Sequence, residues 1–289
     1  MTSPLSLPGP LVSVDWLHAH LSDAAVRVID ASFYLPVHNQ SFDAGFEEAR
    51  IPGARPFNID KISAQDTPLP HMLPTAEEFA EHVGGLGIGN DCVVVAYDTL
   101  GIFSAARAWW MFRAFGHDQV AVLDGGLPAW IAAGHATERG PYVSAGAELF
   151  SASLKPEMVR SVDQVLEAMD RDDIQIADAR AEGRFSGREK EFRPGLRSGH
   201  IPGALNLPVS KLVDQQTGMF ARGERLDAVL KEAQIDRSKP VIASCGSGVT
   251  ACLIDLALTV SGDNGATIYD GSWVEWGGRE DLPIAQDPD

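Results

Sequence analysis

The sequence predicts an α/β fold built twice in tandem, each copy a mostly parallel sheet flanked by helices. Three observations predict it. The chain has 289 residues, 45% of them hydrophobic, which is longer than one ordinary domain and apolar enough for two cores. Short β-branched runs alternate with amphipathic stretches, the βα rhythm of a parallel sheet. The chain also matches itself in order: SVD at 13–15 returns at 161–163 and VIDA at 28–31 returns as IADA at 176–179, both 148 residues on. RIPGA at 50–54 returns as HIPGA at 200–204, 150 on, and DGGLPAW at 124–130 returns as DGSWVEW at 270–276, 146 on. Matches in one order with a drift of a few residues mean two copies of a domain of about 130 residues.

Each element follows from local chemistry. Thr75 with Glu78, ahead of Phe79 and Val83, makes a capping box and starts a helix; Ser161 with Gln164, ahead of Val165, Leu166 and Met169, does the same in the second copy. CVVVAY at 92–97 and PVIAS at 240–244 are too short for buried helices and read as interior strands. TACLIDLALTV, from residue 250, reads as the helix after the second of these. Between the copies, residues 134–158 carry turn residues without periodicity. The boundaries drawn are a first domain at 1–140, a linker at 141–158 and a second domain at 159–289. The tail from Gly277 onward is given no role.

Bulk composition excludes several partners. A formal net charge of −17 argues against nucleic acid, whose phosphates need clustered Lys and Arg. Three cysteines form neither a disulfide framework nor a zinc pattern, which fits a reducing compartment. The N-terminus has no charged segment followed by an apolar one, and no apolar run reaches membrane-spanning length, so a soluble cytoplasmic protein is expected. The eight histidines show no ligand spacing, so no metal and no organic cofactor is expected.

The chemistry concentrates in SCGSGVTAC, residues 244–252. In a parallel α/β sheet, ligands sit beyond the carboxyl ends of the strands, where loops lead into the next helices. Cys245 stands there, in a loop nearly bare of side chains whose backbone N–H groups, at residues 246–250, are suited to cradle an anion such as a thiolate or a persulfide. A thiol with the ordinary pKa is only roughly 3% ionised at pH 7, so such a setting has a chemical use. The competing reading, a small buried hydrophobe beside a turn, is kept for Cys92 and Cys252.

CGSGVT, DGSWVEW and the paired IPGA motifs together resemble the tandem rhodanese-type sulfurtransferases, and among them the 3-mercaptopyruvate sulfurtransferases, over nearly the whole chain. The resemblance implies two rhodanese-like domains with the nucleophile only in the second. In the first, Asp98 takes the place of Cys245. A phosphatase with the Cys-x5-Arg signature fits poorly, because the sixth residue after Cys245 is Ala251. Thiosulfate-specific members carry cations just after the cysteine, whereas Gly246 and Ser247 are neutral; the resemblance therefore implies 3-mercaptopyruvate as donor, with weak thiosulfate turnover.

A 2-oxo acid needs a carboxylate clamp, for which the arginine fork is suited. Arg180, Arg184, Arg188, Arg193 and Arg197 crowd one segment; matching GRF and FRPG to the family assigns substrate binding to Arg184 and Arg193, with Gly246, Gly248, Val249 and Thr250 lining the loop. By the same carry-over Asp60, His71 and Ser247 form a serine-protease-like triad beside Cys245. The implied reaction passes the sulfane sulfur through a Cys245 persulfide to a small thiol, reduced thioredoxin or cyanide, releasing pyruvate. Two readings stand beside it: a thiosulfate:cyanide sulfurtransferase, and a persulfide carrier without small-molecule turnover. A monomer suffices for any of them.

Overall fold

The computed structural model describes residues 5–214 and 216–287. Its described residues form two compact units, one of residues 5–65, 74–155 and 216–220, the other of residues 66–73, 156–214 and 221–287. Each is one five-stranded sheet with every pairing parallel.

In the first unit the strands are β1 (Leu11–Val12), β2 (Val26–Asp30), β3 (Arg55–Pro56), β4 (Val93–Tyr97) and β5 (Val120–Leu123), in the order β1-β5-β4-β2-β3. In the second they are β6 (Val159–Arg160), β7 (Gln175–Asp178), β8 (Leu205–Asn206), β9 (Val241–Ser244) and β10 (Thr267–Tyr269), in the order β6-β10-β9-β7-β8. The same order in both units is the internal repeat made visible. Central strands β4 and β9 are buried along their whole length, as expected for strands covered on both faces by helices.

The capping boxes form as the sequence predicts. The Thr75 hydroxyl accepts from Glu78 N–H at 3.2 Å and the Glu78 carboxylate accepts from Thr75 N–H at 2.8 Å; Ser161 and Gln164 repeat the exchange at 3.3 and 2.9 Å. The stretch 141–158 differs from a free linker. As far as Lys155 it belongs to the first unit, bonded there by Glu148 N–H to Gly84 C=O, Ser153 N–H to Phe115 C=O and Lys155 N–H to Ala114 C=O. Phe150, which has no periodic neighbours to announce it, is buried between Phe79 and Phe112, with ring centroids 6.0 Å from each.

The two units treat the same buried positions differently. Asp178 at the end of β7 accepts from Arg180 Nη2 at 2.7 Å. Its counterpart Asp30, at the end of β2, has Ser32 where the second unit has Arg180, and accepts Ser32 N–H and O–H at 2.9 and 2.5 Å. A hydroxyl offsets burial less than a guanidinium does. Burial, opposed by the Ser32 hydrogen bonds, pushes the Asp30 carboxyl up to about 6.

That shift has a sign. The folded state binds a proton that the unfolded chain has already released between pH 3.8 and about 6, so stability rises as pH falls through this window and is least above it. The gap corresponds to about 3 kcal/mol. Asp30→Asn is expected to stabilise the protein by about 1–3 kcal/mol at pH 7.5 and by far less at pH 4.5; urea unfolding at the two pH values measures this, and an equal effect at both would contradict it.

Candidate active site

The register of β7 against β9 pairs Asp178 with Ser244, so the chain leaves both strands at the same level. Beyond β7 come Ala179 and Arg180; beyond β9 comes Cys245. Ala179 N–H donates to Ser244 C=O at 2.9 Å, holding the two exits together. Two strand ends distant in sequence thereby place a guanidinium segment and a thiol side by side.

Cys245 is 1% exposed. Its loop is pinned from the segment DGSWVEW. Cys245 C=O accepts from Trp273 N–H at 3.0 Å and Gly246 C=O from Val274 N–H at 2.9 Å, while Cys245 N–H donates to Ser272 Oγ at 3.1 Å. Ser272 Oγ in turn donates to Tyr269 C=O at 2.8 Å. The carbonyls of the loop are thus committed on one side. The N–H groups of Gly246, Ser247, Val249 and Thr250 meet no acceptor among the described residues.

The helix that follows begins at Cys252, two residues later than TACLIDLALTV suggests. Gly248, with φ of 79°, turns the chain; Leu253 and Ile254 N–H then bond Thr250 and Ala251 C=O in a tighter i to i+3 turn. Any anion at Cys245 is therefore served by the N–H groups of the loop itself more than by the end of the helix. Cys252 lies in the helix, its thiol directed at Gly248 C=O at 3.5 Å, and Cys92 is buried in the first unit.

His71 joins this unit through the segment 66–73. Its Nδ1 and Ser247 Oγ share a hydrogen bond of 2.9 Å, and both side chains are buried. Leu73 N–H donates to Asp270 Oδ2 at 2.7 Å, fastening the segment to the motif that also pins Cys245. His71 has φ of 63° and Ser272 φ of 50°. Left-handed backbone at a side chain costs about 1–2 kcal/mol, and here both instances bear on the Cys245 loop. Asp60 stands in the first unit, in the short helix Ile59–Ile62, where its N–H donates to Asn58 Oδ1 at 3.0 Å.

Of the arginines, Arg184 reaches the loop: its Nη2 lies 3.4 Å from where a Cβ on Gly246 would stand. It is also bound by Glu191, at 2.6 Å from Nη2 and 3.3 Å from Nε. Arg193 lies with its guanidinium 5.5 Å from the centre of the Phe192 ring. Arg180 is fully buried, 4.1 Å over the Trp273 ring and paired with Asp178 and Glu191. Burial opposes its charge, but Asp178 and Glu191 outweigh burial and raise its pKa. Arg188 and Arg197 face elsewhere: Arg188 pairs with exposed Glu182, and Arg197 donates to the Gly277, Leu282 and Trp276 carbonyls.

Sequence reasoning named Arg180 without giving it a role and missed Glu191, Ser272 and Trp273. The first two stand among many charged residues, and only DGSWVEW, already visible as a repeat, pointed toward the last two. Among the described residues no group of three His, Cys, Asp or Glu is disposed to hold a metal ion.

The first unit builds the same loop around a carboxylate. Leu127 N–H donates to Asp98 C=O at 3.0 Å, as Trp273 does to Cys245. The Asp98 side chain then folds back on its own loop: Oδ2 accepts from Phe103, Ser104 and Ala105 N–H at 2.7, 2.8 and 2.9 Å, and Oδ1 from Leu100 N–H at 2.9 Å. An oxyanion held by four backbone donors fills that loop.

Comparison with known proteins agrees with this duplication. The rhodanese-like domain model matches twice, at residues 13–133 and 161–279. The thiosulfate/3-mercaptopyruvate sulfurtransferase 1, mitochondrial, of Arabidopsis thaliana is 43% identical, over 98% of this chain and 80% of its own. The human 3-mercaptopyruvate sulfurtransferase is 43% identical over 96% and 94%. The crystal structure of SseA, a 3-mercaptopyruvate sulfotransferase from Escherichia coli, superposes with a TM-score of 0.83 at 39% identity, covering 92% of this chain and 99% of that one. With two matched domains, a repeated sheet order and relatives matched over nearly the whole of this chain, the chain belongs to the rhodanese family.

Proposed function

We propose that this protein is a 3-mercaptopyruvate sulfurtransferase that carries sulfur on Cys245. The observation that carries the reading is the buried 2.9 Å hydrogen bond between His71 and Ser247, two residues from the thiol in a loop without cations. A sulfur carrier alone has no use for a proton-handling pair there. Relatives named for 3-mercaptopyruvate, at 41–43% identity, support the donor. A relative named thiosulfate sulfurtransferase, 42% identical, supports a weaker second donor.

In this scheme the Cys245 thiolate attacks the donor sulfur. The S–S bond forms, the C–S bond breaks, and its electron pair leaves as the enolate of pyruvate. Ser247, polarised by His71 and with Asp60 as third member, delivers the proton that turns enolate into pyruvate. Arg184 and Arg193 hold the carboxylate and the neighbouring carbonyl. The N–H groups of residues 246–250 hold the persulfide anion in the way that those of the first unit hold the Asp98 carboxylate. An acceptor thiolate, such as that of reduced thioredoxin, or cyanide then attacks the outer sulfur and frees Cys245.

The three cysteines are buried and none is in a disulfide, which suits a reducing compartment. No helix among the described residues is long and apolar enough to cross a membrane. We propose a cytoplasmic location, and a monomer suffices for the scheme.

Exposure to 3-mercaptopyruvate without acceptor is expected to add about 32 Da, one sulfur atom, to the Cys245 peptide by mass spectrometry. Cys245→Ser should lose both this increment and turnover, and retained turnover would refute the scheme. With cyanide as acceptor, pyruvate and thiocyanate should form faster from 3-mercaptopyruvate than thiocyanate forms from thiosulfate. His71→Ala is expected to lower kcat by about 10²-fold, as for loss of a proton-transfer group. Arg184→Ala and Arg193→Ala should raise KM for 3-mercaptopyruvate about tenfold or more, and an unchanged KM would remove the clamp.

A further inference from the structure

Glu191 lies between Arg180 and Arg184, of which Arg184 is assigned to the donor, and its side chain is 1% exposed. A carboxylate so far from water must be paired. Oε1 accepts from Arg180 Nη1 at 2.8 Å and from Arg184 Nε at 3.3 Å; Oε2 accepts from Arg184 Nη2 at 2.6 Å. Arg180 is bound from its other side by Asp178. Two guanidiniums therefore face two carboxylates, and the cluster has no formal net charge.

The cluster is also continuous with the Cys245 loop at both ends. Arg180 covers the ring of Trp273, whose N–H holds Cys245 C=O. Arg184, fixed by Glu191 and stacked 4.7 Å from the Phe192 ring, rests against Gly246. Its side chain is still 19% exposed, and with Nε and Nη2 taken, Nη1 meets no acceptor among the described residues. Arg184 thus keeps a hydrogen-bond donor for a ligand while its charge is already answered.

That combination discriminates between anions. An uncompensated cation attracts a dianion about twice as strongly as a monoanion at the same distance, which helps repay the larger desolvation of the dianion. Compensation removes that advantage and leaves directional hydrogen bonding, which a carboxylate beside a carbonyl accepts well.

We propose that Glu191 is a positioning and selectivity residue: it fixes the Arg184 guanidinium beside Gly246 and cancels its charge, so that the loop takes a monoanionic 2-oxo acid in preference to a dianionic donor. This rests on the reading above that Arg184 touches the donor.

The test is steady-state kinetics with 3-mercaptopyruvate and with thiosulfate, cyanide as acceptor, on the unaltered protein, Glu191→Gln and Glu191→Asp. Glu191→Gln is expected to raise the ratio of kcat/KM for thiosulfate to that for 3-mercaptopyruvate at least about fivefold, mainly through KM. Glu191→Asp, which keeps the charge, should return the ratio to within about threefold of the unaltered protein. A fall shared by both donors, with the ratio changed less than fivefold, would make Glu191 a structural residue only and overturn the proposal. Should Glu191→Gln not fold, inhibition of the unaltered protein by oxamate and oxalate, a near-isosteric monoanion and dianion, decides it: at least threefold tighter oxamate supports the proposal, and any smaller preference overturns it. If the unaltered protein releases no pyruvate from 3-mercaptopyruvate, the proposed function fails and this inference with it; normal pyruvate release with an unmoved donor ratio overturns the role of Glu191 alone.

Discussion

The main-chain bond from Trp273 N–H to Cys245 C=O, 3.0 Å long, is the constraint on which the rest of the second unit's chemistry depends. A peptide unit directs its carbonyl and its N–H to opposite sides. Once Trp273 and Val274 take the carbonyls of Cys245 and Gly246, the successive N–H groups are left facing the other way without internal acceptors. Leaving buried donors unpaired is costly, of the order of 1–3 kcal/mol each, so a loop of this kind is stable to the extent that an anion or water completes it. The first unit makes the same point in reverse. With Leu127 in the role of Trp273, its loop is completed by the carboxylate of Asp98, so the same scaffold is occupied by its own side chain in one copy and kept for a sulfur anion, in the proposed scheme, in the other.

Charge burial is handled in the same comparative way. Parallel sheets bring buried polar side chains to the carboxyl ends of their strands, and both β2 and β7 end on an aspartate. In the second unit Arg180 answers Asp178, and Glu191 answers what remains of Arg180 and Arg184, so that every charge in the cluster has a partner. Breaking one member of such a network costs more than any one pair is worth, because a charge is then stranded away from water. In the first unit no guanidinium answers Asp30, and its carboxyl is held up at about 6 instead. Duplication therefore preserved backbone geometry closely while side-chain chemistry diverged, which is the expected order: sheet register and loop hydrogen bonds tolerate little change, whereas a buried charge has several solutions.

Of the four non-glycine residues with left-handed φ among the described residues, Asn39, His71, Gln234 and Ser272, two hold the loop. His71 and Ser272 both adopt left-handed φ, and each contacts the Cys245 loop through a side-chain oxygen or nitrogen. The surrounding hydrogen bonds, from Leu73 to Asp270 and from Ser272 to Tyr269, over-determine these conformations. Groups held this way do not need to reorganise when a substrate arrives, which suits the proposed roles of His71 and Ser247.

The amino-acid sequence by itself determined what depends on local chemistry and on repetition. The doubled α/β fold was legible because four motifs recur in order, the helix starts because Thr75 and Ser161 cap with Glu78 and Gln164 three residues on, and the candidate site loop because Cys245 follows a short buried strand with glycines in place of side chains. The family resemblance added Arg184, Arg193, Asp60, His71 and Ser247. What only the tertiary structure decided is pairing across sequence distance. Forty Asp and Glu residues look alike in a list, and nothing local marks Glu191 as the one buried between two guanidiniums. Nor does it announce that residues 66–73 associate with the second unit and put His71 against Ser247, or that 141–155 packs along the first. Such partnerships are set by which strand ends the parallel register brings level and by which charges lose their water there, and both are properties of the folded chain.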